Sequence, residues 1–165
     1  MAHSGKATVT LPTDEQILIE REFDAPRDLV YRAYTTPELV KRWWHANRGE
    51  VTRVEIDLRV GGRWRYVMTA SGGPEVGFHG EYREIVPGER IVSTSFYEGV
   101  PEAVSEEDAT TLDTATFTET DGRTKLAILI QAKSRMTRDA IIESGMEDGL
   151  QDALVLLEQA AAALR

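Results

Sequence analysis

The stretch TRDAIIESGMEDGLQDALVLLEQAAAAL, residues 137–164, decides the fold. Ile142, Met146, Leu150, Ala153, Leu157 and Leu164 recur there at three- to four-residue steps, which lays an apolar stripe along one face of a long C-terminal helix. Such a stripe needs a cover. The sequence before it is mostly strand-like, so the predicted cover is the face of a sheet: an α+β architecture with a helix laid across a curved antiparallel sheet. Gly145 and Gly149 stand one turn apart in the stripe, and each costs about 1 kcal/mol against alanine in a helix interior. Two readings account for them, close approach of another backbone or room left for a ligand between helix and sheet.

Working back from the helix, period-two patterning dominates. Val51 to Leu58, Arg63 to Ala70, Val76 to Val86 and Arg90 to Glu98 read as strands, separated by the turn-forming Gly61-Gly62, Ser71-Gly72-Gly73-Pro74 and Pro87-Gly88. Leu112 to Glu119 and Lys125 to Lys133 form a hairpin through Asp121-Gly122. Between these groups lies an acidic segment, residues 99–109, read as a solvated loop. Gln16 to Phe23 alternates as a first strand, with Ile17, Ile19, Arg21 and Phe23 on one side. Asp24 then reads as the cap of a helix opened by Ala25 and Pro26, and Thr36-Pro37 opens a second short helix ending in Trp43 and Trp44. The expected order is one strand, two short helices, six strands and the long helix, a sheet of about seven strands in one domain over residues 14–165. Residues 1–13 read as a flexible polar lead-in.

Composition narrows the function. The net charge of −9 and the lack of a basic run argue against general nucleic-acid binding and against acidic membrane surfaces. The chain has no cysteine, which excludes disulfides, thiolate metal sites and a cysteine nucleophile. No long apolar segment or signal-peptide pattern occurs, so no membrane insertion is expected and the expected location is cytoplasmic.

The ordered motifs Phe23-Asp24-Ala25-Pro26 with Val30-Tyr31, Pro37-Glu38-Leu39 with Trp43-Trp44, Asp57-Leu58-Arg59-Val60-Gly61-Gly62-Arg63-Trp64, Gly80-Glu81-Tyr82 and Ile85-Val86-Pro87-Gly88-Glu89-Arg90 resemble those of bacterial proteins related to the activator of the heat-shock protein 90 ATPase. That branch belongs to the START-like, or SRPBCC, superfamily, and the resemblance covers about residues 16–163. It implies a helix-grip fold, in which the curved sheet grips the C-terminal helix around a hydrophobic cavity. It also implies a link to stress response. Where the family usually carries a tryptophan after the second glycine of the last helix this chain has Leu150, and its 99–109 loop is longer than usual.

Strand alternation puts Trp64, Tyr66 and Met68 on one face, and Phe78, Gly80 and Tyr82 on one face of the next strand. With Trp44, Phe96 and Phe117 these aromatics are candidate walls of a ligand cavity, or simply a packed core. Ile128 and Ile130 from later strands and Met146 and Leu150 from the helix would close the far side. His3, His45 and His79 lack the spaced partners of a metal site, and His79 alternates outward. Arg63, Arg65, Arg83 and Arg90 read with Glu81, Glu84 and Glu89 as cross-strand ion pairs on the solvated face.

No cofactor is implied. The first functional expectation is a small-molecule binding protein holding an apolar or aromatic ligand between sheet and C-terminal helix. The alternatives are a chaperone ATPase co-regulator, implied by the resemblance alone, and a polyketide cyclase or aromatase-like enzyme, for which the residues assign no catalytic group and which would need an ionisable side chain inside the cavity. A homodimer stays open as an assembly.

Overall fold

The computed structural model describes residues 6–165. The elements run β1 (Thr8–Thr10), β2 (Gln16–Phe23), α1 (Arg27–Thr35), α2 (Pro37–Trp43), β3 (Gly49–Ile56), β4 (Arg63–Ala70), β5 (Glu75–Val86), β6 (Arg90–Tyr97), α3 (Glu106–Ala109), β7 (Thr111–Thr120), β8 (Arg123–Gln131), α4 (Arg135–Glu143) and α5 (Met146–Ala162). The strands form one antiparallel sheet in the order β1-β2-β8-β7-β6-β5-β4-β3. With the short helices after β2 and the C-terminal helix on one face, this is the helix-grip arrangement expected from the sequence.

β1 is the eighth strand. It falls within the stretch read as a lead-in, where Val9 pairs with Ile19 and Ala7 is buried, its backbone exchanging two hydrogen bonds with the Gln151 amide of α5. Residues 1–5 of that lead-in, with His3, lie outside the described residues. The α3 turn, whose cap Ser105 accepts from the Asp108 N–H, occupies the end of the acidic segment.

The helix expected over residues 137–164 is two helices. Gly145 sits at φ +83°, a left-handed conformation that costs other residues about 1–2 kcal/mol, and the chain turns there between α4 and α5. Ile142 therefore lies on α4, partly exposed, and does not extend the α5 stripe. Gly149 is different. A Cβ there would meet only the Arg48 Nε at 4.0 Å, so no backbone approaches it closely.

The capping expected of Asp24 is also absent. Pro26 is the N-cap of α1, and the Asp24 backbone instead meets the C-terminus: its N–H donates to Glu158 at 2.7 Å and its carbonyl accepts from Arg165. Glu158 also reaches the buried Arg21 at 3.3 Å. These bonds fasten the last turns of α5 to β2, where Ile17, Ile19, Phe23, Leu126, Leu154 and Leu157 are 0–2% exposed.

Candidate functional site

Register fixes which side chains share the face beneath α5. Ile17 stands opposite Ile130, Ile19 opposite Ile128, and Ile128 opposite Ala115. From there Asp113 stands opposite Ser93 and Phe78 opposite Tyr97, while Tyr66 pairs with Phe78 and Val54 with Tyr66. Because side chains alternate between faces, Trp64, Tyr66, Met68, Phe78, Tyr82, Phe117, Ile128 and Ile130 all belong to this inner face. Phe96 does not. It pairs with His79 on the opposite face, the two rings 5.2 Å apart, and the next residue, Tyr97, is the one that meets Phe78 at 5.1 Å.

The aromatic side chains form one connected group. Trp44, beyond the end of α2, meets Tyr66 and Phe78 edge-on at 5.5 and 5.9 Å, and Trp64 lies 4.9 Å from Tyr66. Its neighbour Trp43 points elsewhere, buried and donating to the Ala33 carbonyl. Trp64 reaches across β5 to donate to the Thr94 carbonyl at 3.2 Å, and only glycine at position 80 permits this. A Cβ there would collide with that carbonyl and come within 2.6 Å of the indole nitrogen.

Burial divides the interior into two halves. Around the C-terminal part of α5 the apolar side chains are sealed, as given above, and Tyr82 and Phe117 belong with them as buried plugs. Elsewhere, Trp44, Trp64, Tyr66, Met68, Phe78, Ile128 and Ile130, together with Met146 and Leu150 on the first two turns of α5, are each only half-buried. The closest backbone neighbours of α5 are α1, α2 and α4, with no strand approaching it comparably. Leu150 thus belongs to the half-buried set and not to the sealed one.

Polar groups line the same interior. Asp113 projects from the inner face of β7, and burial pushes its carboxyl up to about 6 against a lesser opposing effect of the Thr111 hydroxyl, which donates to it at 2.8 Å. Burial likewise raises the phenols of Tyr34, Tyr66 and Tyr82, with repulsion from Asp113 adding to it at Tyr34 and repulsion from neighbouring phenols adding to it at Tyr66 and Tyr82. Tyr34 stacks on Trp43 at 5.6 Å and lies edge-on to Phe117 at 5.4 Å. None of the three phenols makes a hydrogen bond among the described residues, and none is among the fully enclosed unpartnered atoms, which are Tyr31 Oη, Arg123 Nε and Arg123 Nη2. Their hydroxyls therefore face space that water can reach. Asp113 supplies the ionisable group that a cyclase-like reading needs. Neither it nor Tyr34 was picked out in the sequence, although alternation with Ala115 and Phe117 places Asp113 on their face.

The opposite face carries ion pairs. Glu98 takes Arg65 in a bidentate pair at 2.9 Å and His79 Nδ1 at 2.7 Å, and these partners, Arg65 foremost, hold its carboxyl down at about 2. His79 Nε2 lies 3.4 Å from Glu106. Arg90 pairs with Glu84 across the strands as expected, whereas Arg83 pairs with Glu81 along its own strand. His45 sits after α2, its Nδ1 accepting from the Asn47 N–H. Among the described residues no group of three or more His, Cys, Asp or Glu is arranged to hold a metal ion. Two depressions, about 290 Å³ lined by Arg27, Glu89, Arg90 and Phe117 and about 420 Å³ lined by His79, Phe96 and Lys133, have charged rims, and neither includes Trp44, Trp64, Tyr66 or Phe78. No helix among the described residues is long and apolar enough to cross a membrane.

Comparison with known proteins agrees with this architecture. The family model described as Activator of Hsp90 ATPase homolog 1-like protein matches residues 24–162. Among solved structures, a Rhodobacter sphaeroides protein is similar at TM-score 0.86 and 23% identity, covering 96% of this chain and 99% of its own. A Nitrosomonas europaea protein follows at TM-score 0.80 and 23% identity, covering 93% and 97%. The AHSA1-like protein from Aeromonas hydrophila is similar at TM-score 0.66 and 20% identity, covering 90% and 93%. At these identities the likeness is one of fold. No protein of curated function matches the chain.

Proposed function

The chain belongs to the Activator of Hsp90 ATPase homolog 1-like family, within the START-like superfamily, and from that premise we propose that it holds a small apolar or aromatic molecule between its sheet and the first turns of α5. The family is of ligand-binding or co-chaperone type. What carries the ligand-binding reading is the uneven burial of the interior between sheet and α5, which is 0–2% exposed at Phe23, Leu126 and Leu157 yet only half-buried at Trp64, Tyr66, Phe78, Met146 and Leu150. Apolar and aromatic surface left accessible inside a concave wall is what an apolar ligand would cover, at about 25 cal/mol for each Å² removed from water.

Among the half-buried aromatics Trp44 and Tyr66 carry polar tips that make no hydrogen bond among the described residues, so the site would take an amphipathic body better than a plain hydrocarbon. The test is a thermal-shift and native mass-spectrometry screen of lipids and polyphenols. The proposal expects saturable stabilisation that Trp64→Ala and Leu150→Trp both abolish, the first by removing a wall and the second by filling the space. Uniform absence of binding, with Trp64→Ala only destabilising the fold, would defeat it. A chaperone partner rests on the family description alone, and an unchanged chaperone ATPase rate on adding the protein would dispose of it.

A further inference from the structure

We propose that Asp113 is the polar anchor of this gap and that the molecule it takes carries a protonated amine on an aromatic body. The inference rests on the pocket reading above and adds the chemistry of the ligand's head. Asp113 stands on the inner face of β7, opposite Ile130 on one side and Ser93 on the other, with Ala115 and Phe117 along its own strand. Its one hydrogen bond comes from Thr111, to Oδ1. Oδ2 has no protein partner, is not among the fully enclosed atoms, and no Lys, Arg or His makes an ion pair with Asp113 among the described residues.

A carboxylate in such a place is expensive to ionise unless something charged and hydrogen-bonding meets it. The protein supplies one neutral hydroxyl. The rings nearby supply more: Tyr34 is close enough to Asp113 for their charges to interact, and Tyr66 and Tyr82 interact with Tyr34 in turn. Aromatic faces attract an ammonium group, and phenol oxygens accept from its N–H donors, so carboxylate and rings favour the same ligand charge. Both disfavour an anion. The body of such a ligand would then lie against Trp44, Trp64 and Phe78. Burial raises the Asp113 carboxyl to about 6, so ionisation and ammonium capture become linked in the neutral range, while the three phenols stay neutral throughout it.

Three indoles that differ only in the head test this: tryptamine, tryptophol and indole-3-propionate, titrated calorimetrically into the full chain and into Asp113→Asn. The proposal expects tryptamine to bind the wild type at least ~10-fold more tightly than tryptophol, and tryptophol more tightly than the propionate. Asp113→Asn should remove the tryptamine advantage and leave tryptophol unchanged. Tryptamine affinity should rise from about pH 5 to about pH 8 in the wild type and stay level in the variant. Binding of tryptophol with no preference for tryptamine, or an equal loss of all three in Asp113→Asn, overturns the amine assignment while leaving the pocket. Failure of all three to bind overturns the amine assignment, and the lipid and polyphenol screen then decides the pocket separately.

Discussion

Replacing Asp113 by asparagine should stabilise the protein at neutral pH. The carboxyl, ordinarily at 3.8, titrates at about 6 in the folded protein because burial opposes its charge. The native state therefore holds this proton more tightly than the unfolded chain. The stability linked to Asp113 is complete below about 3.8 and is lost as pH rises through about 6. At 1.36 kcal/mol for each unit, this shift sets a ceiling of about 3 kcal/mol, and the carboxyl's partial access to water lowers the expected effect to about 1–2 kcal/mol. Asparagine keeps the Oδ1 that accepts from Thr111 and nearly the same shape, so it removes the charge and little else. Urea denaturation of both proteins between about pH 4 and about pH 8 reads the effect as a difference curve, which cancels contributions from other groups. The difference should be small at the acid end and grow in favour of the variant through about pH 6. Parallel curves, or a variant less stable at about pH 8, would refute the placement of an ionised carboxyl in the interior.

Two leucines on one helix should behave differently: Leu157→Ala, at a site with 0% exposure, should cost about 2–5 kcal/mol, while Leu150→Ala beside the gap should cost about 1 kcal/mol, both by urea denaturation. Two glycines should differ in sign: Gly145→Ala should cost about 1–2 kcal/mol at its positive φ, and Gly149→Ala, with open space for a methyl, should gain up to about 1 kcal/mol, measured by thermal melting. Glu98, held at about 2 by Arg65 and His79, contributes stability that is complete above about 4.5 and lost as pH falls through about 2. Glu98→Gln should therefore lose about 1 kcal/mol at neutral pH and show a flatter acid limb in circular dichroism.

The parts of the fold legible in the sequence are those where local chemistry and tertiary packing agree. Arg63 to Ala70 reads to the residue because period-two patterning is bounded by Gly61-Gly62 and Ser71-Gly72, and Asp121-Gly122 turns with both residues at positive φ. β1 escapes notice because three residues, Thr8–Thr10, show no period of their own and are ordered by pairing with β2 and by Gln151. The break at Gly145 is hidden by the apolar stripe, which continues from Ile142 to Met146 as if the helix did, while the backbone takes a conformation that only a structure displays.

The candidate site was legible where alternation alone decides the face, as for Trp64, Tyr66, Phe78 and Ile128. Phe96 went to the wrong face because composition, rather than register with His79, placed it among the aromatics. Asp113 is masked by its type, because a short polar residue among threonines on a strand looks solvated, although alternation with Ala115 and Phe117 already gives its face and the partners Ser93 and Ile130 agree with it.

Methyl-resolved NMR during titration with tryptophol tests most directly whether the interior beneath α5 receives a molecule. Saturable shifts at the Met68, Ile128, Ile130, Met146 and Leu150 methyls, with Leu126, Leu154 and Leu157 still, are the predicted result. Shifts confined to exposed Leu112 and Val155, or no shifts at any concentration, would contradict it.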